Sequence, residues 1–115
     1  MSLVLSSRQV DDHIIVEASG QIVAGESCVR FHEFTKGLIA GGGRLFLLDM
    51  AGISCIDSAG LGLLLSIYAT LRIQGGDLKL LNIGAPVKEA LTITNLTQIF
   101  EIFEDENRAI ASKGK

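Results

Sequence analysis

The chain is poor in the residues that usually carry metal, redox or nucleic-acid chemistry. Its 115 residues include two histidines, two cysteines, one tyrosine and no tryptophan. Cys28 and Cys55 are not spaced as a CxxC pair and stand among apolar neighbours, so we interpret both as reduced core thiols of a cytosolic protein. The formal net charge of −3 supplies no basic field for a phosphate backbone. The sequence therefore predicts no metal, no cofactor and no nucleic-acid partner.

Long apolar runs are also missing. No stretch approaches the roughly 18 uninterrupted apolar residues of a membrane span, and the start has no charged segment followed by an apolar one. We therefore expect a cytoplasmic protein without direct membrane insertion. At this length the chain has room for one core, and its 48% hydrophobic residues are enough to build it, so we expect a single domain over residues 1–115.

What the sequence does contain is a hydrophobic period that alternates between those of strands and helices. Leu45–Leu48 is apolar throughout and ends at Asp49, which is typical of a central strand covered on both faces. The pattern predicts strands at 3–7, 13–18, 45–48, 78–81 and 99–103, and helices at 25–40, 58–74, 86–95 and 104–112. The order ββαβαβαβα indicates an α/β domain with a mixed sheet of about five strands and helices packed on it.

Most catalytic patterns are absent. His13 falls in a strand and His32 in a helix, without HExxH spacing, so we interpret both as surface or boundary residues. The triple glycine at 41–43 lacks the Lys-Ser/Thr of a phosphate-binding loop, and the segment 52–56 lacks the closing glycine of a nucleophile elbow. Asp49 and Asp57 are the only plausible pair of carboxylates, which leaves a small enzyme as a remote alternative.

The unusual segment is 57–62, Asp-Ser-Ala-Gly-Leu-Gly, at a strand-to-helix junction. Asp57 or Ser58 can cap the helix, and capping alone would explain them. Gly60 and Gly62, however, each cost the first helical turn up to about 1 kcal/mol relative to alanine. Either they pack tightly against a neighbouring loop, or they let a partner protein approach closely; the sequence favours neither.

The helix that follows is apolar on two sides. One stripe comprises Leu61, Leu64, Leu65, Tyr68 and Leu71, and a second comprises Leu63, Ile67 and Thr70. The second stripe would contact either another helix of the domain or a partner protein.

At these residues the chain resembles the STAS family, the sulphate-transporter and anti-sigma-antagonist domains. The resemblance covers nearly the whole chain. It is carried by the strand end at 47–50, the core Ile53-Ser54-Cys55-Ile56-Asp57-Ser58-Ala59-Gly60-Leu61-Gly62, Gly75-Gly76 before a strand, and the closing segment 96–103. The chain departs from the family at 20–23, where many members have an acidic residue and then Asp.

The resemblance implies an anti-sigma factor antagonist rather than an enzyme. In such proteins the serine matching Ser58 is phosphorylated by an anti-sigma factor that is also a serine kinase, and a phosphatase restores it. The unphosphorylated form binds the anti-sigma factor and releases the sigma factor. The implied protein is a monomer or weak dimer, and the expected partner-binding residues are Gln21, Val23, Asp57, Ser58, Ala59, Gly60, Gly62 and Leu63.

Two other functions share this fold. One is a scaffold or regulatory subunit of a stress-signalling complex, and the other is a regulatory subunit of a membrane transport ATPase. Nothing in the sequence separates them from the sigma-factor role, because all three use the domain as a binding module.

Overall fold

A computed structural model describes residues 3–112, so the expected domain limits at 1–2 and 113–115 lie outside the described residues. The strands are β1 (Val4–Val10), β2 (His13–Ile22), β3 (Leu45–Ile56), β4 (Asp77–Leu81) and β5 (Ile102–Phe103). The helices are α1 (Glu26–Ala40), α2 (Ser58–Ile73), α3 (Ala85–Ile93) and α4 (Glu106–Ala111), with a short 3-10 turn at Leu96–Gln98.

The five strands form one mixed sheet in the order β1-β2-β3-β4-β5. β1 and β2 make an antiparallel hairpin, whereas β2, β3, β4 and β5 run parallel. This confirms the predicted α/β domain with Leu45–Leu48 in the middle of the sheet. The helical connections between parallel strands are the crossovers that such pairing requires.

The alternation of side chains along the strands separates two cores. On one face, Val16 and Leu48 join the large cluster that α1, α2 and α3 cover. On the other face, Ile15 and Leu47 contact Ala109 of α4 in a smaller cluster. Because the central strands are buried on both faces, their sequences are nearly continuous apolar runs.

Three strands extend past their predicted ends. β1 ends at Val10 rather than at residue 7. β3 continues past Asp49 and Gly52 to Ile56, where a loop was expected, and β2 continues to Ile22. The extensions of β2 and β3 pair with each other, and the register shifts between Glu17 and Ser19 and between Gly20 and Gln21. At Gly52, a Cβ would lie 2.6 Å from the Ser19 side chain, so the glycine allows a close strand approach rather than a turn.

The chain after α3 also differs from the prediction. Leu96–Gln98 is a 3-10 turn, so only Ile102–Phe103 of the predicted strand 99–103 is extended, and α4 is shorter than 104–112. The α3 boundaries lie within two residues of those predicted, with Pro86 in the first turn.

Two side-chain environments were wrongly predicted. Cys55 is exposed, although Cys28 is half-buried, and both thiols are free. His13 is buried, with 5% of its surface exposed, and its Nδ1 lies 2.9 Å from Asp12 Oδ1. Strand alternation explains the histidine, because His13 shares the sheet face of Ile15.

Candidate functional site at the start of helix α2

The candidate site lies where the carboxyl ends of β2 and β3 meet. Ile22 and Ile56 are paired at the ends of these parallel strands, and Asp57 follows directly. In open α/β sheets this edge is the usual place for functional residues, since the loops that follow the strands converge there. The site is thus built from the β2–α1 loop and the first turn of α2.

Asp57 holds these two elements together. Its Oδ1 accepts a hydrogen bond of 2.9 Å from the Gly60 N–H, which caps α2. Its Oδ2 accepts one of 2.9 Å from the Ala24 N–H in the β2–α1 loop. Both carboxylate oxygens therefore serve backbone donors, and the predicted capping role belongs to Asp57 rather than to Ser58.

These backbone donors lower the pKa of Asp57. The Ala24 N–H is the largest cause and the Gly60 N–H the next, and partial burial opposes them. A carboxylate that accepts several backbone N–H groups is stabilised in its charged form. The residue is therefore ionised at neutral pH, and its contribution to stability is present above its unfolded pKa and is lost as pH falls through the lower folded pKa.

We expect Asp57→Ala to destabilise the protein by roughly 1–3 kcal/mol at pH 7, because it removes a helix cap and a charged hydrogen bond. Asp57→Asn should lower the free energy of unfolding by less. Its amide oxygen can still accept from the Gly60 N–H, but its NH₂ group faces the Ala24 N–H, and two donors make no hydrogen bond. Urea unfolding measures the free energy of unfolding of both variants and of wild type. The difference in free energy of unfolding between wild type and Asp57→Asn should stay constant from pH 7 to about 5 and narrow below about pH 4, where the carboxyl group of the unfolded chain protonates first. A pH-independent difference would contradict the assigned role of the charge.

Ser58 is the first residue of α2, and it is exposed. Ala59 beside it is exposed as well. Residues four apart lie next to each other on a helix, so Gly62 adjoins Ser58 and Leu63 adjoins Ala59. These four residues, Ser58, Ala59, Gly62 and Leu63, form one surface, which we call the α2 start surface.

The two glycines of this turn have different roles. Gly60 is buried, and a Cβ there would lie 2.3 Å from the Ile22 carbonyl oxygen and 2.7 Å from Ile56 Cγ1. Its role in the fold is therefore close packing, and its place among the partner-binding residues stays a prediction. Gly62 is exposed, and a Cβ there would meet nothing within 4 Å. Packing does not explain this second glycine.

The second apolar stripe of α2 faces α1, so it is an intramolecular contact. Ile67 is buried, Leu63 is half-buried and Thr70 is exposed. Together with Thr35 and Ile39 of α1 they line a shallow groove between the two helices. Leu63 at the mouth of this groove remains accessible from the α2 start surface.

The β2–α1 loop is fixed beside Asp57. The Val23 N–H donates to Ser27 Oγ at 2.9 Å, and that hydroxyl donates to the Val23 carbonyl at 2.8 Å. Gln21 is half-buried near the end of β2 and pairs with Cys55 of β3. The structure thus brings Val23 close to the cap but leaves Gln21 within the sheet. The sequence indicates the loop through Ala24 as part of the binding surface, but it predicts neither the Ala24 contact with Asp57 nor the role of Ser27, because these contacts use a backbone N–H and a local hydroxyl.

Asp49 and Asp57, the carboxylates of the enzyme alternative, each accept backbone hydrogen bonds. Asp49 Oδ1 accepts from the Ala51 N–H at 3.0 Å, whereas both Asp57 oxygens hold the site's backbone. Within residues 3–112 there is no group of three or more His, Cys, Asp or Glu side chains that could hold a metal ion. No helix of that range is long and apolar enough to cross a bilayer. What the site presents is one exposed hydroxyl, that of Ser58, on the first turn of α2.

Comparison with known proteins identifies the family. The STAS domain model matches residues 5–109, which is most of the chain. The chain therefore belongs to the STAS domain family. It is also similar to an anti-sigma F factor antagonist of Paenibacillus polymyxa, with 28% identity over 64 residues, or 56% of this chain and 55% of that protein. That match thus spans about half the length of the curated relative.

Solved structures share the fold. An anti-sigma factor antagonist from Mycobacterium paratuberculosis has a TM-score of 0.84 at 17% identity, covering 95% of this chain and 92% of that one. The Bacillus cell fate determinant SpoIIAA in its phosphorylated form has a TM-score of 0.72 at 18% identity, covering 93% and 96%. At these identities the likeness establishes the architecture alone.

Proposed function

We propose that this protein is a cytoplasmic anti-sigma factor antagonist that phosphorylation at Ser58 switches off. In the unphosphorylated form it binds an anti-sigma factor that is also a serine kinase, and the sigma factor is released. The kinase transfers the γ-phosphoryl group of ATP to Ser58 Oγ, which releases ADP and the hydroxyl proton, and the complex dissociates. A phosphatase restores the hydroxyl by hydrolysis.

The observation that carries the proposal is the exposed Ser58 hydroxyl beside an uncovered glycine. Ser58 and Gly62 are neighbours on α2, and neither is covered by another part of residues 3–112. A kinase needs its acceptor hydroxyl accessible, and a binding partner needs a surface that its backbone can approach closely. The α2 start surface meets both needs, while Asp57 and Gly60 keep its backbone in place.

The function is tested by incubating the protein with ATP and a purified anti-sigma kinase. One phosphate should appear on the peptide that contains Ser58, detected by mass spectrometry, and Ser58→Ala should remain unmodified. The unphosphorylated protein should displace the sigma factor from its anti-sigma complex in a pull-down. Failure of both assays with every sigma-regulating kinase of the host would refute the proposal. Binding without phosphorylation would instead favour the scaffold role.

We expect Gly62→Arg to weaken binding to the anti-sigma factor by at least about a hundredfold, because the added side chain fills the space beside Ser58 and must be displaced or desolvated. Isothermal titration measures the affinity. Gly37→Arg is the matched control, since Gly37 is also an exposed helical glycine with no atom within 4 Å of an added Cβ, but it lies on α1. If both variants bind like wild type, the docking surface lies elsewhere.

A further inference from the structure

The β1 strand leaves one edge of the sheet unpaired. It runs seven residues, Val4–Val10, and pairs only with β2. Ser6, Ser7, Arg8 and Gln9 are all exposed, so neither a helix nor a loop of the described chain covers their outer edge. A strand of this length presents a row of N–H and C=O groups that another strand can bind.

The usual protections against edge pairing are missing from β1. It contains no proline and no lysine, and its register with β2 has no shift over all seven pairs. Its single charge, Arg8, is held on one face of the sheet by an ion pair with Glu106 of α4. Val4 has 61% of its surface exposed at the start of the strand. An edge strand with an unshifted register and a single charge is suited to pairing with a strand of another chain.

The hairpin turn determines which backbone groups point outward. Val10 and His13 flank the two-residue turn and are therefore a hydrogen-bonded pair, joined by the bond from residue i to i+3. Hydrogen-bonded and non-hydrogen-bonded pairs alternate along antiparallel strands. Arg8 and Ser6 are thus bonded to β2, and the outward N–H and C=O groups belong to Leu5, Ser7 and Gln9.

We propose that β1 pairs antiparallel with β1 of a second copy of this chain, around a two-fold axis at Ser7. In this register Leu5 faces Gln9 of the other copy, and Ser7 faces Ser7. Each of the three pairs exchanges two backbone hydrogen bonds. Every other symmetric register leaves at least one of the outward residues unpaired. The strand is therefore self-complementary, as a closed two-fold dimer requires.

The side chains fit the same register. Val4, exposed in the single chain, lies opposite Val10 of the second copy, which belongs to the small apolar cluster beneath α4. Arg8 of the second copy lies opposite Ser6, whose neighbour on β2 is Glu17. The small serine leaves room for that Arg8 side chain, which keeps its ion pair with Glu106 of its own chain.

The other edge of the sheet limits the assembly to two copies. β5 has only two residues, and its pairing with β4 is correspondingly short. An edge this short offers too few backbone groups to add a strand. The dimer would be a continuous ten-stranded sheet, and residues 4–10 include none of the α2 start surface. The inference does not depend on the proposed function.

The test uses the whole chain. The contact is small, so we expect a weak dimer, with monomer dominant near 10 µM and dimer appearing toward about 1 mM. Sedimentation velocity follows the association. Amide hydrogen exchange by NMR identifies the strand, because Leu5, Ser7 and Gln9 should become protected as concentration rises, whereas Ser6 and Arg8 should be protected throughout. A protein that stays monomeric at about 1 mM, or that dimerises without protecting these three amides, would overturn the inference.

Ser7→Pro is the selective variant. Its missing N–H points away from β2, so the hairpin loses no bond, and proline is tolerated on the open side of an edge strand. We expect this variant to remain monomeric at all concentrations with Ser6 and Arg8 still protected, whereas Ser7→Thr dimerises like wild type. If Ser7→Pro keeps its hairpin and still dimerises, the contact does not involve β1.

Discussion

Phosphorylated at Ser58, the protein is expected to bind its anti-sigma kinase at least about a hundredfold more weakly than the unmodified form, while melting at nearly the same temperature. The loss of affinity follows from the surface that Ser58 occupies. Burying an unpaired dianion against an apolar contact costs several kcal/mol, and each 1.4 kcal/mol is about tenfold in affinity. The α2 start surface offers no cation of its own, since its members are Ser58, Ala59, Gly62 and Leu63.

The fold should tolerate the same phosphate. The phosphate adds about −1.5 to −2 charges at the N-terminus of a sixteen-residue helix, where the helix dipole favours an anion even though the Gly60 N–H already donates to Asp57. Asp57 opposes this, because its lowered pKa keeps it charged beside the phosphate. Ser58 is exposed, so water and salt screen the repulsion. The two effects should largely cancel in the free energy of unfolding.

The measurement compares unmodified, phosphorylated and Ser58→Ala protein by thermal melting and by titration with the kinase. Ser58→Ala should bind constitutively, because it keeps the uncharged surface. Ser58→Asp is a further control that adds one charge without the phosphate oxygens, and its affinity should lie between the others. Equal affinity of the phosphorylated and unmodified forms would disprove the switch. A large drop in melting temperature would mean that phosphorylation acts by unfolding.

The sequence predicts the order of elements and the central position of Leu45–Leu48 because these follow from local hydrophobic period. It does not predict the length of β3, because Asp49 and Gly52 are turn residues in isolation. Their strand conformation depends on pairing with the extension of β2, which is distant in the sequence. A local sequence pattern carries no information about pairing between segments that are distant in the chain.

The same limit applies to the candidate site. The segment 57–62 was identified from its sequence, and Asp57 does cap α2. The role of Asp57 in holding the β2–α1 loop was not predictable, since its partner is the backbone N–H of Ala24 and carries no side-chain signal. The two glycines look alike in the sequence, and only the position of the Ile22 carbonyl distinguishes them.

Alanine at Gly60 and alanine at Gly62 should change stability in opposite directions. At Gly60 the new methyl group would meet a backbone oxygen at 2.3 Å, and a backbone carbonyl at the end of β2 cannot move aside as a flexible side chain can. Overpacking of this kind costs about 3 kcal/mol, and the better helix propensity of alanine returns about 1 kcal/mol. We therefore expect Gly60→Ala to lower the free energy of unfolding by about 2 kcal/mol.

At Gly62 the methyl group enters open space, so only the propensity gain remains, and the protein should become more stable by up to about 1 kcal/mol. The two variants add the same atoms to the same helical turn, so each controls for the other. Their melting temperatures should differ by about 10 °C, which differential scanning calorimetry resolves easily. Gly62→Ala also distinguishes the effect of this residue on stability from its effect on binding. A partner that approaches the glycine closely will bind this more stable variant less tightly. If Gly60→Ala were as stable as Gly62→Ala, the close packing of α2 on Ile22 would be disproved, and with it the reason for a glycine at position 60.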